Sequence, residues 1–263
     1  MRKNLIAHIF PLASTGTWRR SVQHLVARMP LFDGQRIVSI AVDEKTANPE
    51  EVIEAFGDAE IVYRVVENDP ALGEGVSFPL LLSEARQFDG ATFYCHSKGA
   101  SYDTFSPTAH SWADVAFHLC LDYPTALCVS LEHCPFAGPF QRVEKRMSVD
   151  WHYSGTFFWF HRFYTDVPLK FLLPLTADRN CVERWPAEQI VAKHAADLGL
   201  ADCRNLYDPI NWRSWITRRF QKEILWNEDR KADREAALTD WLKLPPTAFQ
   251  PFQVVYEEAK AHA

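Results

Sequence analysis

Apolar runs alternate with amphipathic segments along the first hundred residues of the chain. Four of the runs are rich in β-branched or aromatic residues and are bounded by polar or turn residues, which is typical of buried strands. They lie at residues 5–10, 36–42, 61–66 and 91–95. Between them, apolar side chains recur at helical spacing from Trp18 to Met29 and from Phe78 to Phe88, with Ser77 as the predicted N-cap of the second helix. This alternation predicts βαβ units, and therefore an α/β fold with a mostly parallel sheet flanked by helices.

The pattern changes in the second half of the chain. Residues 110–123 predict a further helix, and residues 153–160 are densely aromatic, which suits a strand buried on both faces. Ser154, Gly155 and Thr156 interrupt the entry of this strand, which favours either a bulge or the close approach of a ligand or another backbone. Two more helices are predicted beyond residue 200. We therefore divide the chain into a domain of residues 1–200 and a helical extension of residues 201–263 packed on it.

One of the predicted C-terminal helices is amphipathic and basic. In "NWRSWITRRFQKEILW", Trp212, Ile216, Phe220 and Ile224 form one apolar stripe, and four basic residues lie elsewhere on its surface. Such a stripe more often docks on its own domain, and we favour that interpretation. The alternative is peripheral contact of residues 212–226 with an anionic membrane, where lipid-linked acceptors reside.

Composition limits the classes of function. The 263 residues are 47% hydrophobic and 24% charged, which allows a full core to be buried. A formal net charge of −6 argues against a general nucleic-acid binder, because no net positive field is present to neutralise phosphates. No apolar run approaches the ~20 residues that span a bilayer, and His8 and Pro11 make the N-terminal run a poor signal peptide. These features predict a cytoplasmic protein.

The six cysteines form no CxxC pair and have no regular spacing. In "FHLCLDYPTALCVSLEHC", three cysteines and two histidines lie at irregular intervals, whereas zinc sites use paired ligands at tight intervals. Core packing is therefore the favoured interpretation, and zinc binding is the alternative. A nucleophilic thiol at Cys95 is a weaker option, since no histidine and carboxylate are spaced around it to activate it.

Polar residues follow each predicted strand, and in a parallel sheet these carboxyl ends meet at one edge, where ligands bind. The stretch "FYCHSKGAS" ends the fourth strand with His96, Ser97, Lys98 and Gly99. This sequence suits a diphosphate, because the lysine ammonium is a point charge and the glycine lets the backbone come close. An ordinary surface turn explains the local sequence about equally well. At the same edge, the residues expected to contact the base or ribose of a nucleotide are Asp43, Thr15 and Thr17.

Several segments together resemble a group of bacterial glycosyltransferase-like proteins, which are similar to glycosyltransferases with the GT-A fold. They are "IAHIFPL", "TGTWRRSVQHL", "ENDPALGEGVSFPLLL", "FYCHSKG", "WHYSGTFFWF" and "CVERWPAEQIV", and they run from about His8 to Ala196. The resemblance implies a GT-A-like fold with a nucleotide-sugar donor on the first strands and an acceptor near the later segments. Its sharpest elements are matched by residues 96–99, by residues 153–159, and by Glu183 with the Trp-Pro that follows.

The resemblance also implies roles for the later residues. Glu183 is the predicted catalytic base for the acceptor hydroxyl, and Glu188 is the second choice. The alternative is that both are acids at a helix N-terminus, where the dipole favours them without any chemistry. Arg179 either steadies a phosphate or pairs with Glu183. The remaining predicted substrate-binding residues are Tyr153, Ser154, Gly155, Thr156, Trp159 and Trp185.

The chain departs from the resemblance at one element. GT-A enzymes usually carry an Asp-x-Asp whose carboxylates hold a divalent ion on the donor diphosphate, and this chain has His96, Ser97 and Lys98 at that place. A cation there would neutralise the diphosphate directly, so we expect no metal and no other cofactor. The predicted function is sugar transfer to a glycan or lipid-linked acceptor in polysaccharide biosynthesis. The alternative is a catalytically silent nucleotide-binding or interaction module, because loss of the two carboxylates is also consistent with loss of catalysis.

Overall fold

The computed structural model describes residues 1–102, 104, 106–122, 124–143, 151–161, 168–191 and 204–205. The strands are β1 (Lys3–Ile9), β2 (Arg36–Val42), β3 (Val62–Glu67), β4 (Ala91–His96), β5 (Phe136–Gly138), β6 (Gln141–Val143), β7 (Trp151–Tyr153), β8 (Phe158–His161) and β9 (Arg204–Asn205). The α-helices are α1 (Trp18–Ala27), α2 (Pro49–Phe56), α3 (Phe78–Ala85), α4 (Pro107–Leu121), α5 (Pro124–His133), α6 (Leu169–Leu172) and α7 (Cys181–Val191). Short 3-10 helices span Met29–Leu31 and Gly73–Val76.

Most of the C-terminal segment for which helices were predicted is not among the described residues. Apart from β9, the predicted helical extension of residues 201–263, with its amphipathic segment at residues 212–226, lies outside the described residues. Of the helices that are described, none is long and apolar enough to cross a membrane.

Seven of the described strands form one sheet, in the order β3-β2-β1-β4-β8-β5-β9. β1 pairs in parallel with β2 and β4, and β2 pairs in parallel with β3. β8 runs antiparallel to both of its neighbours, β4 and β5, and β5 pairs in parallel with β9. β6 and β7 form a separate antiparallel pair. The predicted α/β class, with a mostly parallel sheet flanked by helices, is confirmed.

The central strands are buried on both faces, and each face packs against its own helices. Leu5 and Ile9 point into one apolar cluster with α1, α2 and α4, whereas Ile6 points into a second cluster with α3 and α7. This arrangement explains the nearly continuous apolar runs in the sequence, because a strand covered by helices on both faces has no polar side. His8 of β1 lies directly beside His96 of β4. The ends of these two strands therefore meet at one edge of the sheet.

The aromatic segment at residues 153–160 forms two strands, where the sequence predicted one. β7 ends at Tyr153, and a turn through Gly155 (φ +97°) and Thr156 (φ +59°) leads into β8. Both turn residues have a left-handed backbone conformation, which costs glycine little but strains threonine. The side chains of β8 alternate between the two apolar clusters. The predicted burial of this strand on both faces is confirmed.

Two helix starts differ from the predictions. α3 begins at Phe78 as expected, but the Ser77 hydroxyl does not cap it and instead lies 2.8 Å from His8 Nδ1. α4 begins at Pro107, three residues earlier than predicted. Its start is stabilised because Ser106 Oγ accepts a hydrogen bond from the Ala109 N–H (3.2 Å) and proline suits the first helical turn.

An ion-pair network joins α1 to α4. Arg20 donates two hydrogen bonds to the Asp114 carboxylate (2.7 and 2.5 Å), and His24 Nε2 lies 2.7 Å from the same carboxylate. Further along the two helices, Arg28 donates two hydrogen bonds to Asp122 (2.5 and 2.8 Å). We call these five residues the α1–α4 network. Because both arginine contacts are bidentate, they fix the two helices in register as well as in proximity.

The cysteines of the zinc alternative pack as apolar side chains. Cys120 and Cys134 are buried, and burial raises the pKa of the Cys95 and Cys120 thiols well above the ordinary value. His118 Nδ1 lies 2.8 Å from Asp122 Oδ2. Within the described residues, no group of three His, Cys, Asp or Glu side chains is arranged to hold a metal ion. Burial supports core packing for Cys120 and Cys134, and the raised pKa of Cys95 argues against a nucleophilic thiol.

Candidate functional site

A polar pocket of about 440 Å³ opens at the carboxyl edge of the parallel strands. Residues from the ends of β1 and β4, from the loops after β2 and β3, and from the start of α7 line it. This is the edge at which ligands bind in open parallel sheets. The lining includes these predicted site residues: Asp43, His96, Ser97, Lys98, Gly99, Arg179 and Glu183.

A buried carboxylate that was not predicted from the sequence also lines the pocket. Glu74, from the 3-10 helix Gly73–Val76, accepts hydrogen bonds from Thr156 Oγ1 at Oε1 (2.7 Å) and from the Tyr94 hydroxyl at Oε2 (2.8 Å). His96 Nδ1 lies 3.1 Å from Oε2. We call these four residues the Glu74 cluster. The strained left-handed backbone of Thr156 delivers its hydroxyl to Glu74, and such strain is more often found at functional sites than elsewhere.

The Glu74 carboxylate is stabilised in its charged form. Burial alone would raise the pKa of Glu74, but the positive charge and hydrogen bond of His96 and the hydrogen bond from Thr156 outweigh it, and the pKa is lowered. Burial and the negative charge of Glu74 raise the pKa of Tyr94 well above its ordinary value, so the phenol remains a donor. His96 Nε2 is buried and has no hydrogen-bond partner among the described residues. Glu74 therefore holds the His96 ring through one nitrogen only.

His8 contributes hydrogen bonding but no charge at this edge. Burial lowers the pKa of His8 from 6.5 to about 4, although the negative charge of Glu74 opposes this effect. Its Nδ1 lies 2.8 Å from Ser77 Oγ, and the Ser77 hydroxyl also contacts the main-chain oxygen of Glu74 (3.4 Å). The histidine is therefore neutral near pH 7 and links the end of β1 to the segment that carries Glu74.

The turn after β4 is fixed by its neighbours on both sides. Ser97 Oγ accepts a hydrogen bond from the Phe10 N–H (2.9 Å), which ties the turn to the end of β1. Gly99 has φ +80°, and a Cβ at this position would lie 2.7 Å from Ala109 Cβ of α4. Only glycine fits there without a shift of the backbone or of α4. The close approach predicted for Gly99 is therefore to a helix of the same chain.

Three cations line the pocket, namely Lys45, Lys98 and Arg179. None of them forms an ion pair with a described residue, whereas arginines elsewhere in the described chain pair with carboxylates. Lys98 Nζ lies 4.5 Å from the ring centroid of Trp112, in a cation–π contact. Arg179 Nη2 donates a hydrogen bond to Ser101 Oγ (3.1 Å), so the predicted alternative of an Arg179–Glu183 pair is not found. None of these three cations is therefore in direct contact with a carboxylate of the described residues.

Two further carboxylates, beside that of Glu74, line the same pocket. Glu183 lies in the first turn of α7, and its Oε1 accepts a hydrogen bond from the Gly155 N–H (2.8 Å). Asp43 Oδ1 accepts a hydrogen bond from the Lys45 N–H (2.8 Å), and its Oδ2 accepts one from Asn68 Nδ2 (2.7 Å). Both carboxylates are held in place by neutral donors and form no ion pair with a described residue.

Three predicted aromatic residues lie in the core and not along the pocket. Tyr153, Trp159 and Trp185 are fully buried. The indole N–H of Trp159 donates to the main-chain oxygen of Cys120 (2.9 Å), and that of Trp185 donates to the main-chain oxygen of Leu172 (2.5 Å). Because their polar atoms are satisfied by the chain itself, these tryptophans act as apolar packing residues.

Glu188 also lies away from the pocket. It is 2% exposed, its Oε2 accepts a hydrogen bond from the Leu175 N–H (3.0 Å), and burial raises its pKa. Arg184 Nε lies 3.7 Å from its Oε1. Glu188 sits two turns into α7, so neither the catalytic role nor the alternative of an N-terminal acid fits its position, whereas Glu183 does occupy the first turn.

The predicted small residues around Gly155 and before α1 do not line the pocket. Gly155 and Thr156 do not line it, but they hold Glu183 and Glu74, which do. The Ser154 N–H donates to the main-chain oxygen of Phe140, and the residue is buried. Thr17 is buried at the start of α1, and Thr15 Oγ1 is buried without a hydrogen-bond partner among the described residues. These last three were predicted to contact substrate and are not in the lining.

The sequence carries one signal for Glu74, which is its place between two glycines in "LGEGV". Gly73 has φ +55°, and a Cβ at Gly75 would lie 2.8 Å from Cys181 Sγ at the start of α7. The two glycines that flank this acidic residue therefore indicate a segment with a tight bend and close packing.

Comparison with known proteins leaves the family of this chain open. No protein-family model matches it, and no curated protein matches it. Among solved structures, the chain is similar to glucosyl-3-phosphoglycerate synthase from Mycobacterium tuberculosis in complex with uridine diphosphate, at 15% identity and a TM-score of 0.40 over 92% of this chain and 81% of that one. It is also similar to 4-diphosphocytidyl-2C-methyl-D-erythritol synthase, at 13% identity and a TM-score of 0.34 over 86% of this chain and 99% of that one.

Proposed function

We propose that the protein is a glycosyltransferase of the GT-A type, which transfers a sugar from a nucleotide-diphosphate donor to a glycan or lipid-linked acceptor in polysaccharide biosynthesis. The observation that carries the proposal is that Lys45, Lys98 and Arg179, none in an ion pair with a described residue, share one polar pocket with the Glu183 carboxylate. Several cations without carboxylate partners suit a ligand with more than one negative charge. The cations thus indicate an anionic ligand. The reaction, sugar transfer, is inferred from the resemblance of the strand-end and aromatic segments to glycosyltransferase-like proteins.

The pocket offers a group for each charge that develops in an inverting transfer. The acceptor hydroxyl attacks the anomeric carbon, the bond from that carbon to the diphosphate breaks, and the nucleoside diphosphate leaves with the electron pair. Lys98 and Arg179 stabilise the negative charge of the leaving diphosphate. Glu183 takes the proton of the acceptor hydroxyl, and its hydrogen bond to Gly155 fixes its orientation. Asp43 accepts a hydrogen bond from the ribose or base of the nucleotide.

Donor binding tests the role of Lys98. A thermal-shift screen of nucleotides and nucleotide-sugars selects the donor, because a ligand that binds only the folded state raises Tm. Lys98→Ala should weaken binding of that donor by ~1.5–3 kcal/mol in calorimetry, since a charge-assisted contact is lost. Lys170→Ala is the matched control, because Lys170 Nζ also lies over an aromatic ring, that of Phe171 at 4.9 Å, but outside the pocket. Unchanged affinity in Lys98→Ala would remove this role.

Turnover tests the role of Glu183. Glu183→Gln keeps the size and hydrogen bonding of the side chain but cannot accept the proton, so donor affinity should survive while turnover falls by roughly 10²–10⁴-fold. Full turnover in this variant would contradict the assignment. A wild-type protein that binds nucleotide-sugar but neither transfers nor hydrolyses it would favour the catalytically silent module.

We further propose that transfer needs no divalent ion, because Lys98 supplies positive charge where a metal would otherwise bind the diphosphate. Donor affinity and turnover should therefore be unchanged in EDTA. Loss of either in EDTA, with recovery on addition of Mn²⁺ or Mg²⁺, would overturn this part of the proposal.

A further inference from the structure

Trp112 of α4 contacts two turns beside the pocket, namely the one that carries Lys98 and the one whose Gly155 N–H holds Glu183. Lys98 Nζ lies 4.5 Å from its ring centroid. On the other turn, a Cβ at Gly155 would lie 3.0 Å from Trp112 Nε1, so the indole packs directly against the residue whose N–H holds Glu183. Trp112 is only 4% exposed and does not line the pocket. It can therefore act on a ligand only through its neighbours.

The position of the indole is fixed from several sides. The ring of Phe140 stands nearly perpendicular to it, at 84° and 5.7 Å between centroids. Two residues further along α4, Asp114 is anchored to α1 by Arg20 and His24. A buried aromatic face attracts a lysine ammonium more strongly than an exposed one, because less water competes for the charge.

We propose that Trp112 is a positioning residue that holds the Lys98 ammonium at the pocket before the anionic ligand arrives. A lysine side chain has several rotatable bonds, and ordering it costs free energy when a ligand binds. Trp112 lowers that cost by ordering Lys98 in the free protein. The inference deepens the proposed function and rests on it for the identity of the anion, but the placement of Lys98 can be measured without any ligand.

The first measurement is therefore made on the free protein. With lysine labelled with ¹³C at Cε, the ring current of Trp112 should move the ε-methylene proton resonances of Lys98 upfield. This displacement should disappear in Trp112→Leu and persist in part in Trp112→Phe, while the resonances of Lys170, over Phe171, should not change. The Lys98 resonance is assigned by its absence in Lys98→Ala. A Lys98 resonance that Trp112→Leu leaves unchanged overturns the proposal, whether or not any anion binds.

The second measurement is a double-mutant cycle with inorganic pyrophosphate as the probe in calorimetry. Trp112→Leu should weaken binding roughly 3-fold to 20-fold in the wild-type background and by less than about 2-fold in Lys98→Ala, because the indole acts through the ammonium. Trp112→Phe, which keeps an aromatic face, should recover most of the affinity. Equal losses in both backgrounds would mean that Trp112 has only a structural role, and would overturn the proposal.

Two further outcomes are distinguishable. If Trp112→Leu does not fold, as judged by circular dichroism, Trp112→Phe is compared in the same two backgrounds, and a smaller loss that depends on Lys98 is expected. Equal losses there would again overturn the proposal. If the Lys98 resonance behaves as expected but neither pyrophosphate nor any nucleotide-sugar binds, the proposed function falls while the placement of Lys98 by Trp112 stands.

Discussion

The buried carboxylates Glu74 and Asp114 are held in opposite ways. Asp114 belongs to the α1–α4 network and pairs with Arg20, whose side chain is 45% exposed. Glu74 belongs to the Glu74 cluster and accepts its hydrogen bonds from two hydroxyls that are themselves buried, and from a histidine ring. The main partner of Asp114 can therefore reach water if the contact is broken, whereas the hydroxyl partners of Glu74 cannot.

This difference separates a carboxylate that joins helices from one that belongs to a pocket. For both residues burial would raise the pKa, but the positive charges and hydrogen bonds of their partners prevail and the pKa is lowered. The lowered pKa alone therefore does not tell the two apart. What distinguishes Glu74 is that two of its three partners are neutral hydroxyls and that it lines a cavity, where a buried negative charge can act on a ligand.

The largest expected effect comes from removing each carboxylate in turn. Glu74→Ala should lower the free energy of unfolding by ~3–5 kcal/mol, because buried donors lose their acceptor and cannot reach water. Asp114→Ala should cost ~1–2 kcal/mol, because Arg20 can turn to solvent. Urea unfolding of both variants at pH 7, followed by circular dichroism, measures the difference. Equal costs for the two substitutions would break the comparison.

The next largest effect is a pH dependence of the free energy of unfolding that arises from His8, which lines the pocket. The unfolded chain protonates His8 near pH 6.5, but the folded protein does so only near pH 4. The free energy of unfolding should therefore fall as the pH drops from about 6.5 to about 4, by roughly 3 kcal/mol in total. His8→Gln should remove most of this slope. A variant with the same slope as the wild type would show that another group titrates in this window.

The smallest effect is expected at the outer end of the α1–α4 network, between Arg28 and Asp122. The side chains are 22% and 32% exposed, so a double-mutant cycle should give a coupling of about 1 kcal/mol at pH 7, and less in 1 M NaCl. Burial opposes it, but hydrogen bonds from Arg28 and His118 lower the pKa of Asp122 to about 2. The coupling should therefore be present above about pH 4 and decline as the pH falls toward 2. A coupling that grows as the pH falls below 4 would contradict this assignment.

β1, β2 and β4 could be predicted from the sequence because burial on both faces leaves an almost unbroken apolar run, whereas β3, a partly exposed edge strand, is recognised by its β-branched residues. β2 spans the predicted residues 36–42, and β1, β3 and β4 begin and end within two residues of the predictions. The direction of these strands then determines which edge carries their polar ends. For this reason Lys98 and Asp43 could be placed at the pocket from the sequence, before any contact was known.

The contacts within the pocket could not be predicted in the same way, because they join distant parts of the chain. Glu74 comes from a loop without periodicity and meets Thr156 82 positions later. Trp159 and Trp185 were expected at the substrate, but an aromatic run has the same sequence pattern whether it packs in a core or stacks on a ligand. Only the partners of the indole N–H groups distinguish the two cases.

The alternating side chains of β8 restrict the number of residues in the turn that precedes it. Phe158 and Phe160 fill one apolar layer, and Trp159 fills the other. A single residue inserted between Thr156 and Phe158 would shift the strand by one position and send every one of these rings to the opposite layer. Two inserted residues would restore the original facing. Insertions at this point should therefore be tolerated better in steps of two, so that the facing of the β8 rings constrains the length of the turn that precedes the strand.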